Sequence, residues 1–103
     1  MSRSNLQYIL ETVKDIGEKL PRRKSIVRKA SFLLYNTIAM HPFLNGNKRT
    51  GYELARVFLR INGYDLVTET EKAYLFLLRI AQGKASVKDV EKWIASHLTE
   101  KRE

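Results

Sequence analysis

The sequence predicts an all-α fold, one compact bundle of about five helices with an anion-binding loop before the central helix. Three observations carry this. Apolar residues recur at spacings of three and four along most of the 103 residues. No strand-like alternation runs longer than a few residues, and only Tyr64 to Val67 is expected to be briefly extended. The one segment that interrupts helical patterning, His41 to Gly51, is dense in groups that attract negative charge.

The first stripe is Leu6, Ile9, Leu10, Val13, Ile16 and Leu20, one face of a helix. Ser4 and Gln7 have the spacing of a capping box, and Pro21 ends this helix or begins the next. The second helix carries Ile26, Val27, Ala30, Leu33, Leu34 and Ile38. Its wide apolar face predicts a central position. It should end near Met40, because Pro42 disfavours helical geometry at His41. A third helix carries Leu54, Ala55, Phe58 and Ile61, and Asn62-Gly63 stops it.

Thr68 and Glu71 form a second capping-box pattern before a helix with Ala73, Leu77, Ile80 and Ala81, stopped by Gly83. Ser86 is placed to cap a last helix with Val87, Val90, Ile94 and Leu98 on one side. Asp89 falls in its first turn, where negative charge is favourable. Trp93 and the aromatic residues Phe32, Phe58 and Phe76 are read as core. The polar tail 99–103 is expected to fray.

A chain of this length fits one domain, 1–103. At 44% hydrophobic it can bury a modest core. No apolar run approaches the roughly 20 residues of a membrane span, and no leader pattern opens the chain. With no cysteine, disulfides and thiolate metal sites are excluded, which fits a reducing, cytoplasmic setting. The net charge is +8, and its placement is uneven. Between Pro21 and Tyr64 stand nine Lys or Arg and a single acid, Glu53, while the rest of the chain balances to zero. Such a segment is either a solvated basic face or a surface for polyanions.

His41 to Gly51 reads His-Pro-Phe-Leu-Asn-Gly-Asn-Lys-Arg-Thr-Gly. Gly46 can take positive φ and so turn successive backbone N–H groups into one concavity. The helix that starts near Asn47 leaves its first N–H groups without helical partners and has a positive dipole end there. Lys48 and Arg49 sit at that same end, where cations disfavour the helix unless an anion fills the site. Arg49 offers a planar fork to a phosphate, and Lys48 a point charge. An imidazole can exchange a proton near neutral pH, so His41 suits a general base. Phe43 is expected to turn inward as an anchor.

The run His41 to Arg49 resembles the signature of the Fic/Doc family, and its Asn47-Lys48-Arg49 ending is similar to the Doc (death-on-curing) branch. Ala30 to Tyr35, Phe58 to Tyr64, Ala81-Gln82-Gly83 and Ser86 to Ile94 resemble the family's flanking helices, so the similarity covers roughly 26–98. The resemblance implies an all-helical Fic fold. It also implies transfer of a phosphorus-containing group from a nucleotide to a protein hydroxyl. Fic enzymes generally transfer AMP, whereas the Doc toxin transfers the terminal phosphate of ATP to translation elongation factor Tu. By position, His41 is the implied general base. Gly46 and Asn47 form the implied anion cradle, Lys48 and Arg49 the nucleotide-phosphate ligands, and Phe43 a structural anchor. Lys48 replaces a glycine of typical Fic enzymes, which points toward phosphoryl rather than adenylyl transfer.

The resemblance thus implies a Doc-like protein kinase using ATP and Mg2+, with a protein target, the translation machinery among the candidates. Three positions depart from the family pattern. Asn45 replaces the acid that helps hold Mg2+, and a neutral amide binds that ion more weakly. Tyr52 stands where Fic enzymes have a second arginine. Only Leu20 to Ser25 is available for a target-positioning flap. The family's self-inhibitory helix motif is absent, so restraint would need a separate antitoxin. A catalytically impaired nucleotide-binding module and a Fic-type AMP transferase are the alternatives. No standard nucleic-acid motif is present, so nucleic acid is not the expected partner.

Overall fold

The computed structural model describes residues 3–40 and 46–101. Five α-helices follow one another: α1 (Arg3–Thr12), α2 (Arg22–Ala39), α3 (Asn47–Ile61), α4 (Thr70–Ala81) and α5 (Val87–His97). Two short strands, β1 (Tyr64–Leu66) and β2 (Leu98–Glu100), complete the order. The all-α bundle expected from the apolar spacing is what forms, with one small sheet added.

α2 is the central element. Ile26, Val27, Ala30, Leu33, Leu34 and Ile38 are buried along it. Against them pack Ala55 and Leu59 of α3, Phe76, Leu77 and Ile80 of α4, and Val90 and Ile94 of α5. The aromatic residues expected in the core are packed ones. Phe76 is buried and Trp93 stacks on it at 4.7 Å, Phe58 lies against the core, and Phe32 meets Tyr8 of α1.

The contact between α2 and α3 is close because Gly51 has no side chain. A Cβ there would meet the Leu34 carbonyl oxygen, Thr37 Cβ and Ile38 Cγ1, each at 3.3 Å. Gly51 therefore lets the first turns of α3 press onto α2. At the other end, Arg22 donates to the Asn62 carbonyl at 2.9 Å, tying the start of α2 to the end of α3.

Several boundaries differ from the sequence expectation. The first stripe is not one helix to Leu20. α1 ends at Thr12, a 3₁₀ turn covers Val13–Asp15, Ile16 is extended, and Gly17 takes φ +67°. Apolar spacing continues through a break that glycine makes cheap. Lys29 of α2 takes over the freed carbonyls, donating to Val13 and Lys14 oxygens at 3.1 and 2.6 Å. Ser4 lies inside α1, and the Gln7 amide donates instead to Glu11. Thr68 does not cap α4. Glu69 is the N-cap residue and makes no side-chain capping bond. The Ser86 cap forms in full, with Asp89 closing the reciprocal bond.

The tail does not fray at Leu98. Leu98–Glu100 pairs antiparallel with β1 in the register Tyr64↔Glu100, Asp65↔Thr99, Leu66↔Leu98. Lys101 N–H extends the pairing by donating to the Gly63 carbonyl at 2.8 Å. Side-chain polarity concealed this, because the ladder uses backbone groups only. Among the described residues, no helix is long and apolar enough to cross a membrane.

Candidate anion-binding groove

α3 begins where the sequence places it. Gly46 is its N-cap residue with φ +76°, in the left-handed region, and it makes no side-chain capping bond. No acid stands in the first turn of α3. The N-terminal N–H groups and the positive dipole end thus meet Lys48 and Arg49 with no local carboxylate to offset them. Among the described residues, neither cation has an ion-pair partner.

This end opens into a groove of about 630 Å³ between α3, β1 and α4. Gly46, Lys48, Arg49, Tyr52 and Arg56 form the α3 side. Leu66 and Thr68 line it from β1 and the following turn, and Thr70, Ala73, Tyr74 and Leu77 from α4. One wall is cationic and the other offers hydroxyls, an aromatic ring and apolar surface, a lining suited to a small amphipathic anion.

Of the residues singled out in the sequence, Gly46, Lys48 and Arg49 come together at this groove. Asn47 opens α3 beside them and is half-buried. His41, Phe43 and Asn45 lie outside the described residues. Arg56, Thr68, Thr70 and Tyr74 also line the groove and were not among the expected site residues. Arg56 was recoverable, because Arg49 and Arg56 are seven residues apart and share a helix face. The α4 residues carry no such signal, since only the tertiary fold brings them opposite α3.

Tyr52 and Arg56 form a unit one helical turn apart. The Arg56 guanidinium lies over the Tyr52 ring, 5.7 Å from its centroid. Burial raises the Tyr52 phenol above its ordinary value; Arg56 opposes this, and Asp65 and Glu53 add to it. The phenol is therefore neutral at pH 7 and can both donate and accept a hydrogen bond.

Among the described residues, the groove lining contains no carboxylate, and no cluster of three or more His, Cys, Asp or Glu exists. Mg2+ prefers hard, charged oxygens, and the metal candidate Asn45 lies outside the described residues. Negative charge entering the groove meets lysine and arginine.

Residues 2–59, more than half of the chain, match the Fic/DOC family. The chain belongs to the Fic/DOC family. It is also similar to protein adenylyltransferase fic-1 of Caenorhabditis elegans, with 26% identity over 98 residues. That similarity covers 88% of this chain and 19% of the relative, so the chain spans about a fifth of the relative's length. The family match includes the whole of His41 to Gly51, and the uncapped start of α3 is the part of that Fic/DOC segment that faces the groove.

Proposed function

We propose that this Fic/DOC protein transfers a phosphoryl group from ATP to a hydroxyl side chain of a target protein. The observation that carries the reading is the start of α3. There a left-handed Gly46 that makes no side-chain capping bond and the cations Lys48 and Arg49, without ion-pair partners among the described residues, converge on one groove. A nucleotide's phosphates would meet the helix N–H groups and the Arg49 fork there.

In this reading His41 accepts the proton of the target hydroxyl as its oxygen attacks the γ-phosphorus. A new O–P bond forms, the bond from that phosphorus to the β-bridging oxygen breaks, and ADP leaves. Lys48 and Arg49 stabilise the charge that spreads over the transferring oxygens. Lys48 supports phosphoryl over adenylyl transfer, because it lines the groove where typical Fic enzymes carry glycine. The strongly basic segment between Pro21 and Tyr64 favours an acidic target, the translation machinery among the candidates, and a separate antitoxin would restrain the activity.

The relative's adenylyltransferase name favours a second reading, attack on the α-phosphorus with pyrophosphate leaving. Mass analysis of proteins in an extract incubated with the protein, ATP and magnesium decides between them. The expected result is a phosphoryl gain on a target, lowered by about 10²–10⁴-fold in His41→Ala while ATP binding persists. An AMP gain would overturn the phosphoryl assignment. ATP binding that depends on Arg49, with no modification of any protein, would leave an inactive binding module, the outcome toward which Asn45 points.

A further inference from the structure

We infer that Arg56 is a second anion anchor of the groove, so that a nucleoside polyphosphate is held at both ends of its phosphate chain. The inference rests on the reading of the groove as a nucleotide site and extends it to a residue outside the family motif.

Arg56 lines the groove two turns into α3 from Arg49. At 1.5 Å per residue, about 10 Å of helix separates them, so the groove presents two cationic stations along one wall. The Tyr52 ring lies between them and holds the Arg56 guanidinium in place.

The partners Arg56 already has leave it short. Its Nη1 lies 3.9 Å from Glu53 and its Nη2 3.8 Å from Asp65, both beyond hydrogen-bond length. Asp65 is shared with Arg60, whose Nε approaches it more closely, at 3.4 Å. The same carboxylate also accepts from the Leu66 N–H at 2.8 Å. The Arg56 Nε is buried without a hydrogen-bond partner among the described residues. A guanidinium has five donors and no acceptor, and a buried donor left unmet is costly. An arginine serving only as a brace for β1 would be expected to close its carboxylate contacts. This one lies on a groove wall with its two ion pairs both longer than a hydrogen bond, in contact with space that a phosphate can fill.

The test is affinity as a function of phosphate-chain length. Calorimetric titration of the intact protein with adenosine, AMP, ADP, ATP and inorganic tripolyphosphate gives that series. In the parent protein, affinity should rise from AMP to ATP, and tripolyphosphate should bind. In Arg56→Gln, ATP and tripolyphosphate should weaken by at least about tenfold with adenosine unchanged, so the rise flattens. Arg56→Lys, which keeps the charge without the fork, should fall between. Asp65→Asn should act in the opposite sense and strengthen ATP binding by about two- to threefold, because it releases Arg56. A purely structural Arg56 would give parallel losses for Arg56→Gln and Asp65→Asn, in melting temperature and for every ligand alike. Chain-length dependence that survives Arg56→Gln but disappears in Arg49→Gln would overturn the inference and leave the nucleotide reading standing. No binding of any nucleotide by the parent protein would overturn both.

Discussion

The starts of α3 and α5 solve the same physical problem in opposite ways. Each helix begins with N–H groups that have no helical partner. At α5 the chain supplies its own acceptors. Ser86 accepts from the Asp89 N–H at 3.1 Å, and the Asp89 carboxylate accepts from the Ser86 N–H at 2.8 Å. At α3 the N-cap is a left-handed glycine with nothing to offer, and the first turn carries two cations. An end that satisfies itself stabilises the fold. An end whose N-cap residue makes no side-chain bond, next to a groove and held by packing through Gly51, can serve something else. The start of α2 shows that cations alone do not make such an end. Arg22 there is already engaged by the Asn62 carbonyl and lies over the Tyr64 ring.

Converting one end into the other is the strongest way to break the contrast. Gly46→Asp installs an α5-like carboxylate at α3, and aspartate tolerates the left-handed region better than most residues. A Cβ at position 46 meets nothing within 4 Å. ATP affinity should fall by at least about a hundredfold, because the carboxylate repels phosphate and takes its N–H donors. Stability should change by no more than about 1 kcal/mol. Titration and thermal unfolding measured side by side would expose any loss that comes from unfolding.

Next in size is the packing that holds the open end in place. Gly51→Val forces atoms against a backbone oxygen and two α2 side chains. It should cost about 1–3 kcal/mol and weaken ATP binding as the first turns of α3 lift from α2. Denaturant unfolding measures the first effect. A variant of parent stability would mean that α2 yields easily at this contact.

The smallest effects belong to α5. Ser86→Ala should cost about 1 kcal/mol and leave ATP affinity unchanged. A change in affinity would show that the two ends are coupled. The Asp89 carboxyl titrates below its ordinary value, first because of the Ser86 backbone hydrogen bond and then its hydroxyl. A folded value below the unfolded one means that its contribution is complete above the unfolded value near 3.8. It is lost as pH falls through the depressed folded value. Acid unfolding of the parent and of Asp89→Asn should therefore converge only at the acid end.

What the sequence revealed followed from how local each signal is. Apolar spacing located all five helices, since burial on one face imposes that period directly. Gly46, Asn62-Gly63, Gly83 and Ser86 marked boundaries correctly because each acts on its own backbone. Gly17 was overlooked because apolar residues continue on both sides of it. Thr68 was misjudged as a cap because its pattern needs a geometry that Glu69 occupies instead. β2 was invisible for another reason: pairing Leu98 with Leu66 joins distant backbone, and nothing in Leu-Thr-Glu announces it. In the groove, the motif residues on α3 were legible as chemistry. Tyr74, Thr68 and Thr70 were not, because their role depends on where α4 comes to rest.

The pairing of β1 with β2 also has a consequence for synthesis. Leu66 belongs to the groove wall, and its strand partner is Leu98, two helices later in the chain. On the ribosome α3 emerges, with both cations at its start, well before the strand that pairs with β1. Closing that long loop is among the later events of folding. A nascent chain therefore displays a cationic helix end before it owns a finished pocket.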